Sequence, residues 1–223
     1  MRPPYYAPLL DRAQEVLGIR AEARVLDLGA GTGRLTRELA RRLAHVVAVE
    51  PDDAMRARID VGTVLAGSAE AIPLGAGAVD AVFVGEAFHW FEAGPALAEI
   101  ARVLVPGGGL AIVATHWWET EPPLPEAAVE LLRRPFERAG GAVRFDWDAL
   151  GTPPFGPLHE EPFEEELTVD AGMLLDMYST TSPLASLRDE ERAELLAEVR
   201  PLLGGLYRVP VQHTLRWTRL QVG

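Results

Sequence analysis

The 223-residue sequence contains no cysteine and no long apolar run. The absence of cysteine excludes disulfides, thiolate metal sites and cysteine nucleophiles. No apolar run approaches the roughly 20 residues that a membrane helix requires, and the first residues lack the apolar core of a signal peptide. We therefore expect a soluble, cytoplasmic protein that does not interact with membranes.

Positive charge is also scarce, because 33 Asp and Glu residues outnumber 21 Arg and Lys residues. The formal net charge of −12 argues against a nucleic acid partner, which normally requires a basic face. The hydrophobic fraction of 48% is ordinary for a globular chain. The length suits one large α/β domain, or one domain with an insertion, and leaves both monomer and homodimer open.

The most informative stretch is a predicted strand, a glycine-rich turn and a helix. The apolar run Val25–Leu28 meets three glycines at alternate positions within residues 29–33, and leucines then recur at helical spacing. Glycine lets a ligand approach the main chain closely, and the start of the helix directs free N–H groups to the same place. The stretch therefore indicates a nucleotide-type binding turn.

Further apolar runs, separated by helical patterns, predict a sheet around this turn. Strands that are apolar along their whole length favour a parallel sheet with helices on both faces, and right-handed crossovers make it doubly wound. The ligand should lie at the carboxyl ends of the strands. These runs predict strands at residues 45–50, 61–66, 79–84 and 110–114.

The pattern changes after residue 115. Helical stretches follow, and alternating stretches at residues 163–169 and 209–220 predict two more strands, the last of them antiparallel. We therefore predict a three-layer α/β fold with a seven-stranded sheet and a helical lid insertion. Our predicted division of the single domain 1–223 is a cofactor-binding core at 1–115, a lid that sets substrate specificity at 116–205 and a C-terminal strand at 206–223.

The glycine-rich turn departs from the dinucleotide-binding pattern. Its first two glycines and Glu50 fit that pattern, but the third glycine, Gly33, comes one residue early, and Arg34 occupies the expected position. Asp27 would repel a pyrophosphate and would suit a ligand that carries an ammonium group. An NAD(P)-dependent oxidoreductase is therefore the disfavoured alternative.

The stretch Asp27-Leu-Gly-Ala-Gly-Thr-Gly33 resembles the first motif of the class I S-adenosylmethionine-dependent methyltransferases. Glu50 matches the acidic residue that ends their second strand. The resemblance covers residues 24–114 and is closest to a small-molecule subgroup similar to methyltransferase type 11. Three further segments carry it: residues 67–74, 87–91 and 102–109.

The resemblance implies a Rossmann-like methyltransferase fold and methyl transfer from S-adenosyl-L-methionine to a small-molecule acceptor. The reaction would be an in-line displacement at an O, N or C nucleophile, would produce S-adenosylhomocysteine and would need no metal. The residues that the resemblance places against the cofactor are Asp27, Gly29, Ala30, Gly31, Thr32, Gly33, Glu50, Pro51, Ser68, Ala69, Glu70, Glu86, Ala87 and Phe88.

Several of these residues also have a purely structural interpretation. By resemblance Asp27 holds the cofactor's amino group, but it could instead cap N–H groups of the turn. Glu50 accepts both ribose hydroxyls, or is simply a charge at the end of a strand. Ser68 and Glu70 border the adenine, or only shape a loop.

The candidate catalytic residue is His89, because an imidazole can accept the proton that some acceptors lose. Its segment could equally be aromatic packing, and a non-catalytic cofactor-binding protein on the same fold stays open. The residues predicted to line the acceptor pocket are Tyr5, Tyr6, His89, Trp90, His116 and Trp117.

Overall fold

The computed structural model describes residues 5–116, 124–139 and 147–222. Among these residues, seven strands form one sheet. The strands are β1 (Arg24–Leu28), β2 (His45–Val49), β3 (Thr63–Leu65), β4 (Val79–Gly85), β5 (Leu104–His116), β6 (His159–Asp170) and β7 (Leu206–Arg219).

Helices alternate with the first five strands and then dominate the chain between β5 and β7. They are α1 (Ala7–Val16), α2 (Arg34–Ala40), α3 (Asp53–Arg56), α4 (Ala93–Val103), α5 (Glu126–Ala139), α6 (Ala171–Ser179), α7 (Ser182–Ala185) and α8 (Asp189–Val199). Three short 3₁₀ helices in the described part of the chain span Phe88–Trp90, Trp147–Gly151 and Arg200–Leu202. None of the described helices is long and apolar enough to cross a membrane.

The strand order is β3-β2-β1-β4-β5-β7-β6. β1 pairs in parallel with both β2 and β4, and β4 pairs in parallel with β5. β7 runs antiparallel to β5, so the predicted α/β methyltransferase-type fold with an antiparallel last strand is confirmed. The parallel order brings the carboxyl ends of β1, β2 and β4 to one edge of the sheet, which is where the predicted site residues follow their strands.

Contacts divide the described residues into two compact units. The first contains residues 5–115, 147–163 and 213–222, and the second contains residue 116 and residues 124–139 and 164–212. The predicted domain and lid boundaries, which differ in detail from these units, stay a prediction.

The first unit buries both faces of its central strands. Leu26 and Val82 pack in one apolar cluster with Ile100 of α4, whereas Val25 packs in another with Leu10 of α1. Two buried faces explain why β1 and β4 are apolar along their length rather than alternating.

The second unit has an apolar cluster of its own, built mainly from helices. Leu132 of α5, Leu174 of α6, Leu184 of α7 and Val199 of α8 are buried there. α8 stops at Val199, and a 3₁₀ turn follows it. Pro201 lies in that turn and has no N–H with which to continue an α-helix.

β5 begins earlier than predicted. The sequence predicted a strand at residues 110–114, but β5 already starts at Leu104, which pairs with Val79. The next pair is Ala81 with Gly109, so the extra residues form a bulge within the strand.

Candidate cofactor site

The glycine-rich turn follows β1 and folds back onto the end of β2. The N–H groups of Gly29 and Ala30 both donate to the Val49 carbonyl oxygen, at 2.9 and 3.1 Å. Gly29, Gly31 and Gly33 have φ angles of 70°, 57° and 78°, in the left-handed region that other residues avoid. Glycine is therefore required at these alternate positions by the path of the chain itself.

The three glycines differ in the space beside them. A Cβ added at Gly29 would lie 2.7 Å from Ala87 Cβ, and one at Gly33 would lie 3.0 Å from Ile59 Cγ2. At Gly31, no described atom beyond the chain neighbours lies within 4 Å of that position. Gly31 is thus the point of the turn that a ligand can approach.

Glu50 follows β2 and reaches back to the turn. Its side chain is only 6% exposed, its Oε2 accepts the Gly31 N–H at 2.8 Å, and its Oε1 accepts the Asp52 N–H at 3.0 Å. Asp52 also caps α3 by accepting the Met55 N–H at 2.7 Å. Both Glu50 oxygens are therefore held in place, and each retains a lone pair for a further donor.

Asp27 lies on β1, just before the turn, and is 1% exposed. The Thr36 hydroxyl donates to its Oδ2 at 2.7 Å, whereas Oδ1 accepts no hydrogen bond from the described residues. Burial raises the pKa of Asp27 from 3.8 to about 7, the hydrogen bonds from Thr36 oppose this change, and the charge of Glu50 adds to it. A buried acceptor atom without a donor indicates a place where a ligand donor belongs.

The segment after β3 forms a small loop that contains the residues predicted to border an adenine. Ala69 is buried in the apolar core, and the Ser68 carbonyl oxygen accepts the Ala71 N–H at 3.3 Å. Glu70 Oε1 accepts the Glu92 N–H at 3.0 Å. Partial burial acts to raise the pKa of Glu70, but hydrogen bonds from the Glu92 N–H, the Glu70 N–H and the Ser68 hydroxyl together lower it. Glu70 therefore links the loop after β3 to Glu92, the residue that precedes α4.

The end of β4 lies directly beside the glycine-rich turn. Glu86 has a φ of 59°, which is unusual for a residue with a side chain, and its Oε1 accepts the Thr115 N–H. Ala87 is the residue that crowds the Cβ position of Gly29. Phe88 is buried, and its ring stacks on Trp147 with centroids 5.9 Å apart. The structure thus brings Ala87 to the turn, Glu86 to the end of β5 and Phe88 into the core.

Tyr5 and Tyr6 differ in environment. Tyr5 is buried in the core, with its hydroxyl against Gly85. Tyr6 is half-buried and stacks on the ring of His213, with centroids 5.1 Å apart and an interplanar angle of 6°.

The remaining predicted pocket residues lie in different parts of the chain. His89 and Trp90 are exposed on a 3₁₀ helix, with Trp90 74% exposed. His116 is half-buried and belongs to the second unit. Trp117 lies outside the described residues. The catalytic assignment of His89 and the acceptor pocket stay predictions.

Sequence reasoning missed His213, on β7. Its side chain is 1% exposed, and its Nδ1 lies 3.1 Å from Thr115 Oγ1. The available signal was its position in the alternation of β7, where Val211 and Leu215 on the same side are buried. A histidine at an inward position of an otherwise apolar alternation is the pattern that could have identified it.

Comparison with known proteins decides the family. A family model described as a methyltransferase domain matches residues 26–112. An uncharacterised methyltransferase-like protein of Schizosaccharomyces pombe is 33% identical over 216 residues, which cover 93% of this chain and 83% of that protein. This chain belongs to the class I methyltransferase family.

Two further matches show how far the resemblance extends. This chain is 50% identical to an uncharacterised methyltransferase of Mycobacterium tuberculosis over 97 residues, which cover 42% of this chain and 40% of that protein. The match thus spans about two-fifths of that relative's length. A solved structure from Anaeromyxobacter dehalogenans, assigned as a type II methyltransferase, covers all of both chains at 25% identity with a TM-score of 0.68.

Proposed function

We propose that this chain binds S-adenosylmethionine and transfers its methyl group to a small-molecule acceptor. Class I methyltransferases use a methyl donor, usually S-adenosylmethionine. The observation that carries the proposal is the buried Oδ1 of Asp27, which accepts no hydrogen bond from the described residues. The α-ammonium group of this cofactor is a donor of matching charge for that atom.

The other residues of the turn fit the same cofactor. Glu50 is held by two backbone N–H groups and keeps one lone pair on each oxygen, as two adjacent ribose hydroxyls require. Gly31 leaves open the space through which the cofactor would lie against the main chain. When bound, the cofactor supplies an electrophilic methyl group on a sulfonium. The chain's contribution is to hold the two ends of the cofactor and to orient the acceptor.

The charges at the site favour this cofactor over a dinucleotide. Asp27 and Glu50 are close enough for the charge of Glu50 to raise the pKa of Asp27. Two buried carboxyl groups at a glycine-rich turn disfavour a pyrophosphate and favour a cation. An NAD(P)-dependent oxidoreductase is for this reason the weaker alternative.

The acceptor end is assigned to the residues around the end of β4. In this proposal Glu86 and Ala87 line the methyl-donor side, because both adjoin the glycine-rich turn or the end of β5. Tyr6 offers a half-buried aromatic surface for an acceptor. The net charge of −12 supports a small molecule rather than a nucleic acid.

Calorimetric titration with S-adenosylhomocysteine tests the cofactor site. We expect Glu50→Ala to weaken binding by at least about tenfold, because the ribose loses two charge-assisted acceptors. Gly31→Arg should abolish binding by filling the open space. Glu22→Ala is the matched control, since Glu22 is exposed and follows α1 rather than the turn.

Normal binding by both site variants would overturn the assigned site. A thermal shift with NAD(P) but not with S-adenosylhomocysteine would instead favour the oxidoreductase. If the cofactor binds but no acceptor yields S-adenosylhomocysteine, the chain is a cofactor-binding protein without transferase activity.

A further inference from the structure

A buried imidazole lies beside the hydroxyl of a half-buried threonine near the carboxyl end of β5. Thr115 is half-buried, whereas His213 is 1% exposed, and 3.1 Å separates Thr115 Oγ1 from His213 Nδ1. This distance is within hydrogen-bond range for a hydroxyl and a ring nitrogen. A hydroxyl that is hydrogen-bonded to a histidine nitrogen can pass its proton to that nitrogen.

The ring of His213 is held in a fixed orientation. Tyr6 stacks on it almost in parallel, and Phe163 packs edge-on against Tyr6 with centroids 6.2 Å apart. Two titratable side chains contact the pair: Tyr6 stacks on His213, and Glu86 Oε1 accepts the Thr115 N–H. The stacked ring of Tyr6 and the contact with Thr115 together favour the rotamer that directs Nδ1 toward Thr115.

The same threonine contacts the residue predicted to line the methyl-donor side. The Thr115 N–H donates to Glu86 Oε1, and the Glu86 N–H donates to the Val113 carbonyl oxygen at 3.1 Å. Glu86 keeps a left-handed backbone conformation to make these contacts. Strained backbone of this kind persists where the surrounding structure enforces it, often at functional sites.

We propose that Thr115 and His213 form a proton-accepting pair for the methyl acceptor. This inference rests on the proposed function. As the acceptor heteroatom becomes methylated, its hydrogen passes as a proton to Thr115 Oγ1, and the threonine's own proton passes to His213 Nδ1. The electron pair of the broken heteroatom–hydrogen bond stays on the acceptor. The positive charge that entered with the sulfonium ends on the imidazolium.

This pair differs from the sequence-based candidate in its surroundings. His89 is exposed on a 3₁₀ helix, where solvent competes for any proton transfer. His213 is shielded from solvent and aligned by Tyr6. Thr115 and His213 therefore take the role of proton acceptor that the sequence suggested for His89.

A first experiment reads the protonation state directly, without any acceptor. In ¹⁵N-histidine NMR of the full chain with bound S-adenosylhomocysteine, above the pKa of the imidazole, we expect an unprotonated Nδ1 that shifts in Thr115→Val. A protonated Nδ1 overturns the proposal, because that atom would then donate to Thr115 rather than accept. Assignment comes from the loss of the His213 signals in His213→Asn.

A second experiment follows formation of S-adenosylhomocysteine with a phenol, an aliphatic carboxylic acid and a primary amine as acceptors. His213→Asn keeps an acceptor atom near the Nδ1 position but cannot take up a proton. With the phenol and the amine, we expect it to bind S-adenosylhomocysteine normally, to lose about a hundredfold in kcat and to lose the acidic limb of the pH–rate profile. Thr115→Val should show the same loss, and His45→Asn, at an exposed histidine of β2, is the matched control. The carboxylic acid is already ionised near neutral pH, so its methylation should show no such loss.

The outcomes separate this inference from the proposed function. If the pH limb survives in His213→Asn but disappears in His89→Asn, His89 is the base and the pair is refuted. If no wild-type turnover occurs with the panel, the NMR result decides on the pair. If wild-type protein fails to bind S-adenosylhomocysteine, the proposed function itself fails, and the pair fails with it.

Discussion

Cofactor affinity should depend on the protonation of Asp27. Burial holds the pKa of this carboxyl at about 7 in the ligand-free chain, so that most molecules carry a proton there in mildly acidic solution. An ammonium group binds only the carboxylate form. The proton and the cofactor therefore compete for Asp27.

The magnitude follows from the pKa. Affinity for S-adenosylhomocysteine should be constant above about pH 8 and should fall about tenfold for each pH unit below about 7. Near pH 5 the loss reaches about a hundredfold. Binding near pH 6 should release about one proton, because most of the free chain is protonated there.

Calorimetric titration in buffers of different ionisation enthalpy measures both quantities. Asp27→Asn should bind more weakly near pH 8 and should show no pH dependence from this position. The adenosine analogue 5′-methylthioadenosine, which lacks the ammonium group, is the matched ligand. A pH-independent affinity of the wild-type chain for S-adenosylhomocysteine would refute the assignment of Asp27 to the ammonium group.

The raised pKa of Asp27 also makes the stability of the fold depend on pH. Stability should fall as pH rises, whereas cofactor affinity should increase. In the unfolded chain Asp27 has its ordinary pKa of 3.8, so the folded state holds this proton more tightly than the unfolded state. The ligand-free fold should therefore lose stability as pH rises from about 4 to about 7. The difference between the two pKa values corresponds to on the order of 4 kcal/mol. Urea unfolding of the wild type and Asp27→Asn across this range isolates the effect.

Three further predictions concern residues near Asp27. Gly29→Ala should destabilise the fold by on the order of 1–3 kcal/mol, because its Cβ would lie 2.7 Å from Ala87 Cβ and its φ is 70°. Gly31→Ala shares the strain of a positive φ, at 57°, but meets no such contact, so it should cost less stability than Gly29→Ala; an equal loss of stability in urea unfolding would contradict this. Thr36→Val removes the hydroxyl that donates to Asp27 Oδ2, so the pKa of Asp27 should rise and the midpoint of cofactor binding should move to higher pH. An unchanged midpoint in calorimetry would refute that role of Thr36.

The fold was predictable where short apolar runs have one interpretation. β1, β2 and β4 lie within one or two residues of their predicted bounds, because strands buried on both faces need uninterrupted apolar sequence. β5 was predicted to be too short, since a Pro-Gly-Gly-Gly segment normally signals a turn. Pairing of Leu104 with Val79 instead keeps that segment in the sheet as a bulge.

The cofactor-binding residues and the Thr115–His213 pair also differ in how well the sequence predicts them. Asp27, Gly31 and Glu50 belong to a compact sequence motif, so local residues were enough to predict them. Thr115 and His213 are 98 positions apart and meet only because β7 returns antiparallel beside β5. No local pattern contains that pairing, although the inward position of His213 in the alternation of β7 could have identified the histidine itself.

The proton on Asp27 also explains how an acidic turn can select its ligand. Burial removes the Asp27 carboxylate from water, and the nearby charge of Glu50 adds a smaller cost, so the pKa of Asp27 is raised and the free chain holds a proton there. A ligand with an ammonium group can replace that proton with its own positive charge. A pyrophosphate cannot, because it would add negative charge beside Glu50 and leave Asp27 protonated. In the proposed function, binding is therefore an exchange of one cation for another, and selectivity for an amino-acid-bearing nucleoside arises from the same pair of carboxyl groups that holds it.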